Sequence, residues 1–333
     1  LKALAALGLI GGVALAIALV LSHGAGAIWH GMTRLGWLGF AVVIACHAGL
    51  IVLMGMAWWL LGRDRARWPL FAWGRLIRDS ASEALPLSQL GGYVLGARAL
   101  ALVGVSGAFA AGSTVVDVTV ELIAQLGYTL IGLALLDFLR PGSRILGPMA
   151  AAVVLMAILA AVFSTVQARG AGAVERAGAR IARHLLGRDV GQSGAVQRVI
   201  LRLHDRPAIL LLAASVHLTS WLLSGVETWL TLSLMGLKLS LAAGLVIDSL
   251  LYAMRSAGFM VPNSFGVQEG GLVLLCGLFG VEADAALGLS LIKRGRDLAI
   301  GVPALVAWQA MEGRRAWARP GTEAVATDGS LPE

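Results

Sequence analysis

Apolar runs of about the length needed to span a bilayer alternate along the chain with short polar connections. Six of these runs are clean: Ala3–Ser22, Trp37–Leu61, Ser113–Phe138, Ile145–Gln167, Pro207–Met235 and Ala283–Met311. Each reads as a helix crossing the membrane, because the hydrocarbon core takes roughly 20 apolar residues per crossing. Two further runs, Ser80–Gly112 and Leu239–Phe279, are apolar but interrupted. The first holds Pro86, Gly91 and Gly92, and the second holds Pro262, Asn263 and Gly266. Broken backbone at membrane depth must be covered by protein or line a wet cavity, since lipid offers no hydrogen-bond partner. Ser80–Gly112 either crosses once or turns back to the side it entered from.

The basic residues choose between these options. Arg63, Arg65, Arg67, Arg75 and Arg78 crowd the connection Gly62–Arg78, and eight further arginines lie between Ala168 and Arg206. Arginine-rich loops stay on the cytoplasmic side. Two clean spans separate these loops, so the first broken run must return to the side it left. The same count from the second loop to the basic start of the tail makes the second broken run return on the opposite face. The fold class predicted is all-α: a polytopic integral membrane protein of about six full spans plus two re-entrant helical hairpins in an inverted-repeat arrangement. Arg78-Asp-Ser-Ala leading to Leu85-Pro86 and Gly91-Gly92 parallels Arg255-Ser-Ala leading to Val261-Pro262 and Gly270-Gly271.

Residues 1–315 are expected to form one transmembrane domain. Residues 168–206 form a cytoplasmic amphipathic linker between its halves, and 316–333 a disordered tail. In the linker, apolar Val196, Val199, Ile200 and Leu203 recur at helical spacing beside arginines, which suits a helix lying on anionic lipid. Trp58 and Trp59 close the second span where an interfacial aromatic belt belongs.

Composition agrees. Of 333 residues 58% are hydrophobic and 14% charged, with a mean hydropathy of +0.82. A soluble core has no use for that much apolar surface. The net charge of +7 reflects arginine-rich loops rather than nucleic-acid binding, and nucleic acid is not an expected partner. Cys46 and Cys276 sit in apolar runs as small buried residues. No His/Cys spacing suits a metal, and no Walker loop, GxSxG elbow or HExxH is present, so no cofactor and no enzymatic activity are expected.

The candidate chemistry is charge inside apolar stretches: Glu83, Asp117, Glu121, Glu227, Asp248, Glu269 and Asp297 against Arg98, Arg255, Lys293, Arg294 and Arg296. An ionised group at the bilayer centre costs about 2.5–3.5 kcal/mol even on the lenient insertion scale, so most of these must pair or face water. Lys293 and Asp297, four apart, are expected to pair on one helix, and Arg294 and Arg296 to have different partners. Arg98, Arg255, Pro262, Asn263, Gly266, Glu269 and Arg294 are the predicted substrate-binding and translocation residues. Glu83, Asp117, Glu121, Lys293, Arg296 and Asp297 form the supporting charge network, with helix breaks at Pro86, Gly91 and Gly92. Glu227 and Asp248 are expected to fasten helices, and His47 and His217 to hydrogen-bond between spans.

VPNSFGVQEGGLVLL resembles the P-G-G-x-G-x-x-E block of the lysylphosphatidylglycerol synthase transmembrane family. ALPLSQLGGYVLGARAL, VVDVTVE and LSLIKRGRDL resemble that family's other blocks, in order, over about residues 1–315. By this resemblance Pro86, Gly91, Arg98, Asp117, Pro262, Gly266, Glu269 and Arg294 occupy motif positions. Gly92 stands where an acid is usual, and Asn263-Ser264 replaces Gly-Gly, which implies an altered lipid selectivity. In better-known members this membrane domain is a flippase for aminoacylated phosphatidylglycerol followed by a soluble synthase domain. The chain resembles the stand-alone branch, part of which is associated with hopanoid biosynthesis in Gram-negative bacteria. The resemblance implies a lipid translocase of the bacterial inner membrane, handling a lipid with an anionic or polar headgroup or a hopanoid. The alternative is an integral-membrane enzyme or assembly subunit of lipid or hopanoid biosynthesis. Expected partners are membrane lipids and lipid-biosynthesis proteins, and an oligomer is compatible with the sequence.

Overall fold

The computed structural model describes residues 25–84, 88–158, 160–162, 164–165, 194–257 and 264–317. The predicted first span Ala3–Ser22, most of the 168–206 linker, nearly all of the tail, and Pro86, Pro262 and Asn263 lie outside the described residues.

All regular structure among the described residues is helical. The helix α1, Ala25–Gly62, is interrupted at Gly36, whose φ of 66° is open to glycine and strained for other residues. Beyond that break, Leu35–Gly62 is 28 residues long and apolar enough to cross a membrane. A short turn leads to α2, Trp68–Ala84, followed by α3, Ser88–Leu102, and α4, Gly107–Leu139. A shorter apolar helix, α5, spans Leu146–Val162. After it come α6, Ala195–His204, α7, Pro207–Leu234, α8, Leu241–Ala257, α9, Val267–Gly277, and α10, Ala283–Trp317. Gly107–Leu139 and Pro207–Leu234 also meet the length and apolarity of a span.

The helices α2, α3, α8 and α9 have 17, 15, 17 and 11 residues, all short of the roughly 20 that a full crossing takes. They pack as two consecutive pairs. In the first, an atom added at Gly92 would stand 2.0 Å from Ser82 Oγ, and one at Gly74 would stand 2.9 Å from Leu100. This register is that of an antiparallel hairpin. In the second, Gly271 lies against Leu251 and Met254.

Three expectations need correction. Gly91 and Gly92 do not break a helix. They lie within α3, where the missing Cβ of Gly92 lets α3 approach the backbone of α2. Arg75 and Arg78 are not in a cytoplasmic loop, because α2 begins at Trp68 and carries both into the bundle, 4% and 3% exposed. Phe71, fully buried edge-on to Trp58, and Ile77 supply the apolar burial that draws the helix in. Finally, α6 does not lay its apolar stripe on lipid: Val196, Ile200 and Leu203 are buried in the protein, with Val199 over Gly112 of α4.

From Leu35 to Leu139 the element order is long, short, short, long, and after α5 and α6 it is again long, short, short, long from Pro207 to Trp317. Each fourth helix leans on the other set. The helix α4 packs on α7 and α8, α10 packs on α1 and α2, and α1 and α7 pack on each other. The two largest of four apolar clusters among the described residues hold this arrangement. One joins Trp58, Phe71, Leu100, Phe109 and Ile200, and the other joins Leu232, Ile247, Leu250, Leu275 and Leu289. Large apolar side chains such as Phe138, Leu211, Leu298 and Val306 stay exposed on the outside, as lipid-facing residues must.

Candidate functional site

Between the two sets lies a cavity of about 380 Å³. Its walls come from both: His47 of α1, Asp79 and Glu83 of α2, Glu121 and Gln125 of α4, Ser224 of α7, Tyr252 and Arg255 of α8, Arg296 and Asp297 of α10. The ends of α2 and α8 meet here. Arg255 Nη2 donates to Glu83 Oε1 at 2.7 Å, joining the two helix pairs, and Gln125 Nε2 donates to Ser256 Oγ at 2.9 Å. Four carboxylates and two guanidiniums face this space, inside a bundle that exposes large apolar side chains on its outer surface.

Two charge clusters flank the cavity. In the first, Arg75 donates to both oxygens of Glu121 at 2.9 and 2.8 Å and to Asp79 at 2.7 Å. Arg78 donates to Asp117 at 2.7 Å and also to Glu121. His217 Nε2 shares a 3.0 Å hydrogen bond with Asp117. In the second, Lys293 Nζ donates to Asp248 at 2.9 Å and to Thr228 at 2.8 Å, and Tyr128 adds a bond to Asp248 at 3.1 Å. Arg296 donates to Glu227 and to Asp297, and His47 Nδ1 lies 3.0 Å from Glu227. Buried charges survive only when paired and hydrogen-bonded in this way.

The predicted residues divide by position. Glu83, Glu121, Arg255, Arg296 and Asp297 line the cavity, and Asp117 and Lys293 stand behind its wall in the two clusters. Arg98 does not reach the cavity. It pairs with Glu312 near the end of α10 at 2.5 Å. Glu269 and Arg294 pair with each other at 2.8 Å outside the cavity lining. There Glu269 also accepts from Gly266 N–H at 2.7 Å, capping α9, and from Ser290 at 3.0 Å. Gly266 has a φ of 77° and ends the turn into α9, so a helix break stands at that position. Lys293 and Asp297 do not pair with each other. Lys293 reaches across to Asp248, and Asp297 is taken by Arg296. Arg294 and Arg296 do have separate partners, as expected.

Sequence reasoning missed Arg75, Arg78 and Asp79, which it assigned to or beside a loop. The spacing of Phe71, Gly74, Ile77 and Ala81 at three and four residues was the available signal that a helix starts before them. His47 was read as a packing residue. It does hydrogen-bond between helices, but it also faces the cavity. Among the described residues no group of His, Cys, Asp and Glu could hold a metal ion.

Short helix pairs inserted among long apolar helices, with ionised groups paired around a central cavity, define a multi-pass helical membrane protein. The model of the family described as "Lysylphosphatidylglycerol synthase TM region" matches residues 4–304, and the chain belongs to that family. No curated protein and no solved structure gives a significant match. Membership ties the chain to membrane-lipid function.

Proposed function

We propose that the protein moves a lipid between the leaflets of the bacterial inner membrane, with the headgroup crossing through the central cavity while the tail stays in the surrounding hydrocarbon. The observation that carries this reading is the cavity itself: about 380 Å³ of space walled by ionised groups among apolar side chains, bordered by the ends of two short helix pairs, within an apolar bundle. In this reading both pairs are re-entrant and enter from opposite faces. The recurrence of long, short, short, long helices and the crossed packing of α4 and α10 support an inverted repeat, an arrangement that places substrate sites at mid-depth between the repeats.

The charge inventory refines the substrate. Arg98, Arg255, Arg294 and Arg296 each have a carboxylate partner already. The four carboxylates on the cavity wall are also paired, two of them with Arg75 and Arg78 behind the wall, so no cationic group there is left for a phosphate. A headgroup offering hydroxyl or ammonium donors fits such a wall better than a bare phosphate does. A hopanoid with a polyhydroxylated head meets the same condition.

The test is reconstitution of the full chain in sealed vesicles with fluorescent phosphatidylglycerol and fluorescent lysyl-phosphatidylglycerol. Faster loss of the protected inner-leaflet signal than in protein-free vesicles is expected, greater for the lysyl lipid, with no change in lipid mass. Monodisperse protein that moves neither lipid overturns the reading. Chemical conversion of the lipid would instead favour an integral-membrane enzyme.

A further inference from the structure

A second recess, of about 310 Å³, lies apart from the central cavity. It stands where three helices of spanning length have an end: α1 finishes at Gly62, α4 begins at Gly107 and α7 begins at Pro207. Gly62, Phe109 and Arg206 are all on its wall, so these ends meet there. The ends of spans mark the depth at which lipid headgroups begin, and an arginine-rich end is the cytoplasmic one. Leu61 of the recess is seven residues from Met54 of the cavity along α1, and Phe109 is nine from Val118 along α4. At the rise of an α-helix these separations are about 10 and 14 Å.

The recess has an apolar floor and a basic rim. Leu61, Phe109 and Leu203 form the floor and are buried. Arg65, Arg202 and Arg206 form the rim, against one carboxylate, Asp64, among the described residues. Arg206 Nη1 donates to Asp64 at 3.2 Å, in a pair whose side chains are 50% and 64% exposed. So exposed a pair is weak and yields to a stronger acceptor. Arg65 lies over the Phe109 ring, 5.7 Å from its centroid, which holds its guanidinium at the rim. No carboxylate among the described residues pairs with Arg65 or Arg202. The arginines at the central cavity, by contrast, are all matched. The N-terminal ends of α4 and α7 add partial positive charge, which the C-terminal end of α1 only partly offsets.

A cationic rim over an apolar floor selects an amphipathic anion. Guanidinium forks suit phosphate oxygens, and basic pockets between helices on the cytoplasmic side suit acidic lipid headgroups. Less than two turns into α7, Leu211 and Leu212 are exposed, so acyl chains have an apolar surface close to the arginines. A free phosphate would leave the floor uncovered. A zwitterionic headgroup would bring its own ammonium beside three arginines, where like charges repel.

We propose that this recess binds the phosphate of an anionic phospholipid in the cytoplasmic leaflet. Arg65 follows α1, whereas Arg202 and Arg206 belong to α6 and to the start of α7. One phosphate between them ties the first set of helices to the second, and a ligand held only by the folded protein stabilises it.

The full chain, purified in neutral detergent and stripped of lipid, is titrated separately with phosphatidylglycerol, phosphatidylcholine and inorganic phosphate. Bound lipid is counted by native mass spectrometry, and the melting temperature is followed. Phosphatidylglycerol is expected to bind and to raise the melting temperature, and the other two are not. Arg65→Gln and Arg202→Gln are each expected to weaken its binding roughly fivefold, the contribution of one basic residue near an anionic surface. Both arginines are exposed, so the variants are expected to fold, and a melt without lipid checks this. Arg63→Gln removes an exposed arginine of the same turn that does not line the recess, and it is expected to leave binding unchanged. An equal loss in Arg63→Gln overturns the site in favour of diffuse surface charge. Undiminished binding in both Arg65→Gln and Arg202→Gln overturns it by placing the lipid elsewhere, the central cavity included. Equal binding of phosphatidylcholine, or an equal effect of inorganic phosphate, overturns the assignment to an anionic lipid. None of these readouts involves lipid movement, so a protein that binds here and moves nothing keeps this site and loses only the function proposed above.

Discussion

Arg78 donates to Asp117 and Glu121 from a position 3% exposed. Removing one partner of a buried ion pair typically costs about 3–5 kcal/mol, because the other charge is stranded. Arg78→Ala is therefore expected to lower the melting temperature in detergent strongly. Arg78→Lys should recover only part of the loss, since an ammonium lacks the fork that serves two carboxylates. Glu269 and Arg294 allow a sharper measurement. Either neutralised alone leaves a buried partner, while Glu269→Gln combined with Arg294→Gln removes both charges. A thermal-melt double-mutant cycle is expected to show the double variant more stable than the sum of the singles predicts. At this scale the sequence spoke clearly where charge interrupts an apolar run, as at Glu121, Arg255, Arg296 and Asp297. It was silent on pairing, because Arg78 and Glu121 are 43 positions apart and His47 and Glu227 are 180 apart. Helical spacing reports local neighbours only, which is why Lys293 and Asp297 were paired on paper and separated in the fold.

The helices approach most closely where glycine removes a side chain. A Cβ at Gly244 would stand 2.5 Å from Trp229 Cβ, and one at Gly55 would stand 2.5 Å from Ala72 Cα. Without a large hydrophobic effect between helices in lipid, such close packing is a main source of their affinity. Gly244→Val is expected to force α7 and α8 apart at about 1–3 kcal/mol, the usual range for overpacking. A lower melting temperature and a broadened size-exclusion profile would register it. The long apolar spans were evident from hydropathy alone, and so was the break before α9. The start of α2 was overlooked despite its apolar spacing, because arginines near a loop look like loop arginines until their carboxylate partners on α4 are known. The pair Gly91-Gly92 misled for a related reason: a glycine that serves close packing and one that ends a helix look alike in sequence.

At the level of the whole molecule, Glu83 and Arg255 join one short helix pair to the other at 2.7 Å across the cavity. Each single neutralisation, Glu83→Gln or Arg255→Gln, is expected to change the rate of the proposed lipid movement in vesicles. The exchanged pair Glu83→Arg with Arg255→Glu should return it toward the original rate, which a purely local role for either residue would not produce. That apolar spans alternate with interrupted runs was visible in outline in the sequence. The way each set leans on the other was not, because it depends on contacts between residues about half the chain apart.

The partners that complete the first set's charges arrive late in synthesis. His47 waits 180 positions for Glu227, and Glu83 waits 172 for Arg255. A ribosome that has finished α4 has delivered these groups to the insertion machinery without their partners. The early half must be sheltered there, or stay open to water, until α7, α8 and α10 emerge. A chain truncated between the sets should accordingly be recognised by membrane quality control and degraded, rather than accumulate as a stable half.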